Sequence, residues 1–244
     1  MLDLTTLEAT DNDARVRELC ARGRDPLGEG STAVGAICVY PTMVAAAADA
    51  LAGTPVKLAS VAGAFPHGMS PLHLRVAEAT WCVEQGANEI DMVISRGEFL
   101  AGRHERVLQE VREIRAAIGD ASLKVILETG ELKSADSIRA ASELVVPLLR
   151  DGDFIKTSTG KTQPATTLEA TEVMLGVLAE TWRTGGPRVG LKPAGGVRTA
   201  ADAVAYWAQA QHIMSGHARW SAPDSQVFRI GASSLLDSLV EAIG

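Results

Sequence analysis

Aromatic side chains are scarce in this chain, at 4% of its 244 residues, and cysteine is scarcer still, with three. Cys20, Cys38 and Cys82 are odd in number and widely spaced, so they supply neither a disulfide framework nor a zinc-ligand pattern. A reducing, cytoplasmic setting is the reading that follows. No apolar run reaches the roughly 18 residues of a membrane span, which excludes a spanning helix. The opening MLDLTTLEATDND has no basic region and no long apolar stretch, so it does not read as a secretory signal. Basic residues are outnumbered by acidic ones, 23 to 30, for a net charge of -7. That balance lacks the basic footprint of a nucleic-acid binder, and any anionic ligand must be held by a local site rather than by the overall field. No linker, low-complexity tract or charge run divides the chain, so residues 1–244 read as one domain.

What the chain does have is a repeated alternation. Short apolar runs lie near 2–6 (LDLTT), 34–40 (VGAICVY), 56–61 (VKLASV), 89–94 (EIDMVI), 123–128 (LKVILE), 154–158 (FIKTS), 189–194 (VGLKPA) and 227–231 (VFRIG). Helical signals separate them: Ser70-Pro71 opens a helix towards Gly86, Ser134 and Asp136 open another, Pro164 a third, and an alanine-rich amphipathic stretch runs from Thr199 to about Ala210. Strand–helix alternation at this spacing implies a parallel sheet. Eight strands in a chain of this length predict an α/β fold of the closed (β/α)8, or TIM-barrel, kind. An open doubly wound sheet is the competing architecture, and it would follow if LDLTT were not a strand.

Parallel strands covered on both faces ordinarily read as unbroken apolar runs, and several of these do not. With side chains alternating between faces, Asp91 falls opposite Ile90, Met92 and Ile94, Lys156 opposite Ile155, and Lys192 opposite Val189 and Leu191. Likewise Lys124 and Glu128 fall opposite Val125 and Leu127, Asp3 opposite Leu2 and Leu4, and Cys38 opposite Ile37 and Val39. If the apolar sets pack on the outer helices, the ionisable sets point into the barrel. A lone buried lysine is costly unless paired or deprotonated; several converging with carboxylates make a site. Solvated strand ends or structural ion pairs are the plainer alternative for any one residue, and Lys124 with Glu128 fits such a pair.

Two lysines on neighbouring strands repel each other's charge, which lowers the pKa of at least one, as desolvation also does. A neutral amine can attack an aldehyde or ketone to form an imine, and a nearby carboxylate can move the protons. This chemistry calls for no metal and no organic cofactor. Strand seven runs into Gly195-Gly196-Val197-Arg198-Thr199 and strand eight into Gly231-Ala232-Ser233-Ser234, the loops with which barrels often bind phosphate. Gly160 and Lys161, beyond strand six, could form a third wall. Gly160-Lys161-Thr162 is not a P-loop, because that motif needs glycine at 155, where Ile155 stands. The five histidines show no ligand spacing; His67, in the loop after strand three, is the one placed for a substrate role.

EIDMVI at 89–94, LKVILETGEL at 123–132, FIKTSTGK at 154–161, KPAGGVRT at 192–199 and FRIGASSLL at 228–236 closely resemble the deoxyribose-phosphate aldolases, and LDLTTL and FPHG (65–68) fit the same family. The resemblance covers nearly the whole chain. It implies a class I aldolase on a (β/α)8 barrel that reversibly cleaves 2-deoxy-D-ribose 5-phosphate to acetaldehyde and D-glyceraldehyde 3-phosphate. Carried over by motif, Lys156 would be the Schiff-base nucleophile, Lys192 would keep it nucleophilic and relay protons, and Asp91 would be the acid/base group. Gly160, Lys161, Gly195, Gly196, Gly231, Ser233 and Ser234 would line the phosphate subsite, with Asp3, Cys38, Lys124 and Thr157 as pocket neighbours. Family members are often dimers, so a homodimer is the assembly the resemblance suggests. Some carry a helical segment before the first strand and a tail ending in tyrosine; this sequence begins its strand near residue 2 and stops after EAIG. The other readings are a different imine-forming aldolase or transaldolase barrel, and a non-catalytic sugar-phosphate-binding barrel.

Overall fold

The computed structural model describes residues 1–30, 32–220 and 222–243. Each of the eight apolar runs is a strand among these residues: β1 Leu2–Thr5, β2 Ala36–Val39, β3 Lys57–Ala62, β4 Glu89–Val93, β5 Ser122–Ile126, β6 Phe154–Lys156, β7 Gly190–Lys192 and β8 Ile230–Ala232. The helices are α1 Asp13–Arg24, α2 Val44–Leu51, α3 Leu72–Glu84, α4 Arg96–Leu100, α5 His104–Ala117, α6 Thr129–Leu132, α7 Ala135–Val145, α8 Leu168–Arg183, α9 Ala200–Met214 and α10 Leu235–Ile243. All seven strand pairings are parallel, in the order β7-β6-β5-β4-β3-β2-β1-β8. Closure comes at the β7–β8 seam, where Leu191 bridges Phe228 and Ala194 bridges Gly231. Backbone bonds from Arg229 N to Leu191 O (3.1 Å) and Gly231 N to Pro193 O (2.9 Å) complete it. The closed barrel, rather than the open sheet, is the architecture, and LDLTT is the strand that decides it: β1 pairs with both β2 and β8.

The period-two split predicted for the strands is realised as two cores. Ile37, Val39, Leu58, Ile90, Met92, Val125 and Ile155 join the helix-facing core, while Ala36, Cys38, Ala59 and Val61 form a small separate cluster inside the barrel. Two helix starts follow their sequence signals. Ser134 accepts a bond from Ser137 N, and Thr199 makes a reciprocal capping box with Asp202. Two do not. α8 begins at Leu168 under the Thr167 cap, four residues after Pro164, which lies in the loop. α3 begins after Pro71 with no side-chain cap, so Ser70 does not cap it. The 216–226 segment, of which Ser221 lies outside the described residues, packs Trp220 against Trp182 (ring centroids 5.9 Å apart).

Candidate active site

Seven ionisable side chains, all at most 5% exposed, meet inside the barrel: Asp3 from β1, Glu89 and Asp91 from β4, Lys124 from β5, Lys156 from β6, Lys192 from β7 and Arg229 just before β8. Asp91 is the hub. Its Oδ2 accepts from Lys156 Nζ and Lys192 Nζ, both at 2.7 Å, and its Oδ1 accepts from Lys124 Nζ at 3.0 Å. Lys192 Nζ also pairs with Asp3 Oδ2 at 2.6 Å, and Lys124 Nζ with Glu89 Oε2 at 2.5 Å. Arg229 bonds Asp3 Oδ1 at 2.8 Å and Glu89 Oε1 at 3.0 Å. The side chains meet because the registers place them together: Asp91 stands opposite Lys124, and Lys156 opposite Lys192.

The three lysines do not share one fate. Burial lowers the pKa of Lys156, contact with Asp91 opposes this, Lys192 lowers it further, and the net shift is downward. Burial also disfavours charge on Lys192, but Asp3 and Asp91 outweigh it and raise its pKa. Lys124 likewise is raised, Asp91 and Glu89 prevailing over burial. Burial alone would lift the Asp91 pKa, yet the ammonium groups of Lys124, Lys156 and Lys192 hold it well below the ordinary carboxylate range. Lys156 is thus the one of the three lysines whose pKa is shifted down, and it is bonded to an ionised carboxylate. Cys38 sits inside the same space as a neutral thiol, burial pushing it up to about 11.

The predicted Lys124–Glu128 pair does not form. The strand ends at Ile126, and Glu128 adopts a left-handed backbone (φ 58°), which turns its carboxylate to Thr159. There it accepts from the Thr159 amide at 3.2 Å and hydroxyl at 2.5 Å. Period-two reasoning fails once the backbone leaves the strand region. Thr157 is fully buried, and its Oγ1 accepts from Ala194 N (3.0 Å), tying the end of β6 to the residues after β7. His67 is exposed, 3.4 Å from Arg96 in a separate groove over α4, and is not brought to the lysine cluster.

The glycine loops lie together at the C-terminal ends of β6, β7 and β8. A Cβ on Gly195 would come within 2.9 Å of Gly160 Cα, and Gly160, Gly195 and Gly196 all have φ near +80°. Among the described residues the Gly196 and Ser234 amides take no hydrogen-bond partner, and Ser233 and Ser234 are exposed ahead of α10. Lys161 Nζ reaches across the barrel mouth to Leu7 O at 2.6 Å. Gly231 has a nearer role: a Cβ there would stand 3.0 Å from Lys192 Cε.

Three residues escaped the sequence reading. Glu89 shares its face with Asp91, and Arg229 with Gly231, so the period-two signal was available for both. Ser158, fully buried and two residues after Lys156, has a hydroxyl with no partner among the described residues.

A family model described as DeoC/LacD family aldolase matches residues 1–239. A deoxyribose-phosphate aldolase of Mus musculus is 40% identical over 255 residues, covering 99% of this chain and 78% of the mouse protein. That of Homo sapiens is 38% identical with the same coverage. A solved deoxyribose phosphate aldolase from Aeropyrum pernix, described as a unique tetramer, superposes with a TM-score of 0.72 at 26% identity, over 99% of this chain and 88% of that one.

Proposed function

From the premise that this chain belongs to the DeoC/LacD family of aldolases, we propose that it reversibly cleaves 2-deoxy-D-ribose 5-phosphate to acetaldehyde and D-glyceraldehyde 3-phosphate through an imine on Lys156. The observation that carries the role of Lys156 is its position: a buried amine with a lowered pKa, 2.7 Å from a carboxylate that a second, firmly protonated lysine also holds. The neutral Nζ attacks C1 of the open-chain sugar, and Asp91 moves the protons as the carbinolamine loses water. The protonated imine draws the electrons of the C2–C3 bond as the C3 hydroxyl gives up its proton, releasing D-glyceraldehyde 3-phosphate and leaving an enamine. Protonation of C2 and addition of water return acetaldehyde and the free amine. Lys192, held protonated between Asp3 and Asp91, keeps positive charge beside the nucleophile and shares its proton with the relay. Gly160, Lys161, Gly195, Gly196, Gly231, Ser233 and Ser234 hold the phosphate, using backbone amides and the α10 N-terminus.

Among the described residues no helix is long and apolar enough to cross a membrane; the three cysteines are free and buried, which fits a reducing, cytoplasmic compartment. Exposed Leu74 and Trp81, seven residues apart on α3, support a homodimer. Borohydride reduction in the presence of acetaldehyde, with peptide mass mapping, is expected to leave an ethyl group on Lys156. The Lys156→Ala variant is expected to lose cleavage by at least about 10³-fold. Labelling elsewhere, or retained cleavage in that variant, would overturn the assignment.

A further inference from the structure

Arg229 enters the cluster from the end of the barrel opposite the glycine loops. It lines a cavity of about 910 Å³ at the N-terminal mouth with Lys57, Arg188 and the start of β1. Room is kept for it. A Cβ on Gly35, which has no positive φ, would stand 2.7 Å from the Arg229 guanidinium. Arg229 bonds two carboxylates at the end of the barrel opposite the glycine loops, away from a substrate bound over Lys156 from the loop side.

The linked cluster holds three carboxylates, Asp3, Glu89 and Asp91, and four basic groups, Lys124, Lys156, Lys192 and Arg229. With every group ionised it carries one net positive charge in a dry interior, where unbalanced charge is costly. A guanidinium does not release its proton, and Lys124 and Lys192 each touch at least two carboxylates. Lys156 touches Asp91 alone. Loss of its proton is what leaves the cluster neutral.

We infer that Arg229 and Glu89, at the N-terminal end of the barrel, are positioning residues that set the proton occupancy of Lys156 through the charge count of the cluster. This rests on Lys156 being the imine-forming amine. Other groups around that amine do not alter the count: Cys38 on β2 is a neutral thiol, and Glu128 beyond β5 is bonded to Thr159 outside the linked set. On the Arg229 side, the Met1 amino group, Lys57 and Arg188 stay the same in every variant below.

Removing the arginine lessens the repulsion on protonated Lys156, so its titration should move to higher pH; removing the Glu89 charge should move it lower. Each partner keeps another contact, since Glu89 still holds Lys124 and Asp3 still holds Lys192. The measurement is the rate of borohydride trapping at subsaturating acetaldehyde, from about pH 5 to 10. Arg229→Met is expected to raise the midpoint by roughly half a unit or more, and Glu89→Gln to lower it comparably. The double variant should return near the parent, and Arg229→Lys should stay with it. In Arg229→Met, KM for the sugar phosphate should change less than about 3-fold above the midpoint, because the guanidinium lies away from the substrate. Adduct formation with unmoved midpoints, or both single variants moving the same way, would overturn the inference while leaving the imine intact. No adduct on Lys156 in the parent would overturn both. If Arg229→Met does not fold by circular dichroism, Glu89→Gln decides: a lower midpoint supports the charge count and an unchanged one refutes it.

Discussion

Asp91 is the residue on which the lysines depend, and it is bound three times over. Oδ2 is shared by Lys156 and Lys192, and Oδ1 takes Lys124. An amide at this position keeps the size but loses both the charge and the proton acceptor. Asp91→Asn should therefore still permit some trapping of acetaldehyde on Lys156, with its midpoint moved to lower pH, since loss of the negative charge favours the neutral amine. The cleavage rate should nonetheless fall by about 10²-fold or more, the usual worth of a positioned acid/base group. Trapping and steady-state cleavage measured on the same preparation separate the two effects. Equal loss of both would mean that Asp91 only holds the pocket together.

Among the elements, the loops after β6 and β7 act as one unit. Gly195 has φ +81°, and a Cβ there would meet Ala165 Cβ at 2.8 Å and Gly160 Cα at 2.9 Å. Gly195→Ala would both strain the backbone and drive the two loops apart. The expected outcome is a KM for 2-deoxyribose 5-phosphate raised about 10-fold or more, with a much smaller change for the unphosphorylated sugar and none in acetaldehyde trapping. A uniform fall in all three would place Gly195 in the scaffold and not in the phosphate subsite. The β7–β8 seam behind these loops is short, and Lys192 and Gly231 lie on either side of it. Gly231 is consequently committed twice, to clearance for Lys192 Cε and to the bridge with Ala194 across the seam.

For the molecule as a whole, the interior cluster ties stability to pH. Asp3 and Asp91 are both held below their ordinary values; burial opposes this, but the surrounding lysines and Arg229 outweigh it. A carboxylate with a depressed folded-state pKa adds stability that is fully present above its unfolded value, about 3.9, and is lost as pH falls below it. Urea midpoints should therefore change little between about pH 7 and 5 and fall steeply below about pH 4. In the Asp3→Asn variant that acid-side slope should be shallower, because one of the two linked carboxylates no longer titrates. An equal slope in the variant would remove Asp3 from the linkage.

Eight apolar runs, their order and the alternation of faces within them were legible in the chain, because a strand's side-chain period of two is a property of the backbone alone. The same rule set Asp91, Lys156, Lys192, Lys124 and Asp3 against apolar partners, and so carried most of the buried charge cluster. It also contained Glu89 and Arg229. Nothing local, however, distinguishes an arginine at a strand's start that points inward from one that is solvated. Glu128 shows the limit from the other side, for one left-handed residue sent its carboxylate to Thr159 instead of Lys124. Partner choice, and with it which lysine has its pKa lowered, was decided only when the barrel closed. The charges that settle it come from six strands and their ends, bonded partners lying between 33 and 226 residues apart in the chain, and their mutual distances exist only in the tertiary structure.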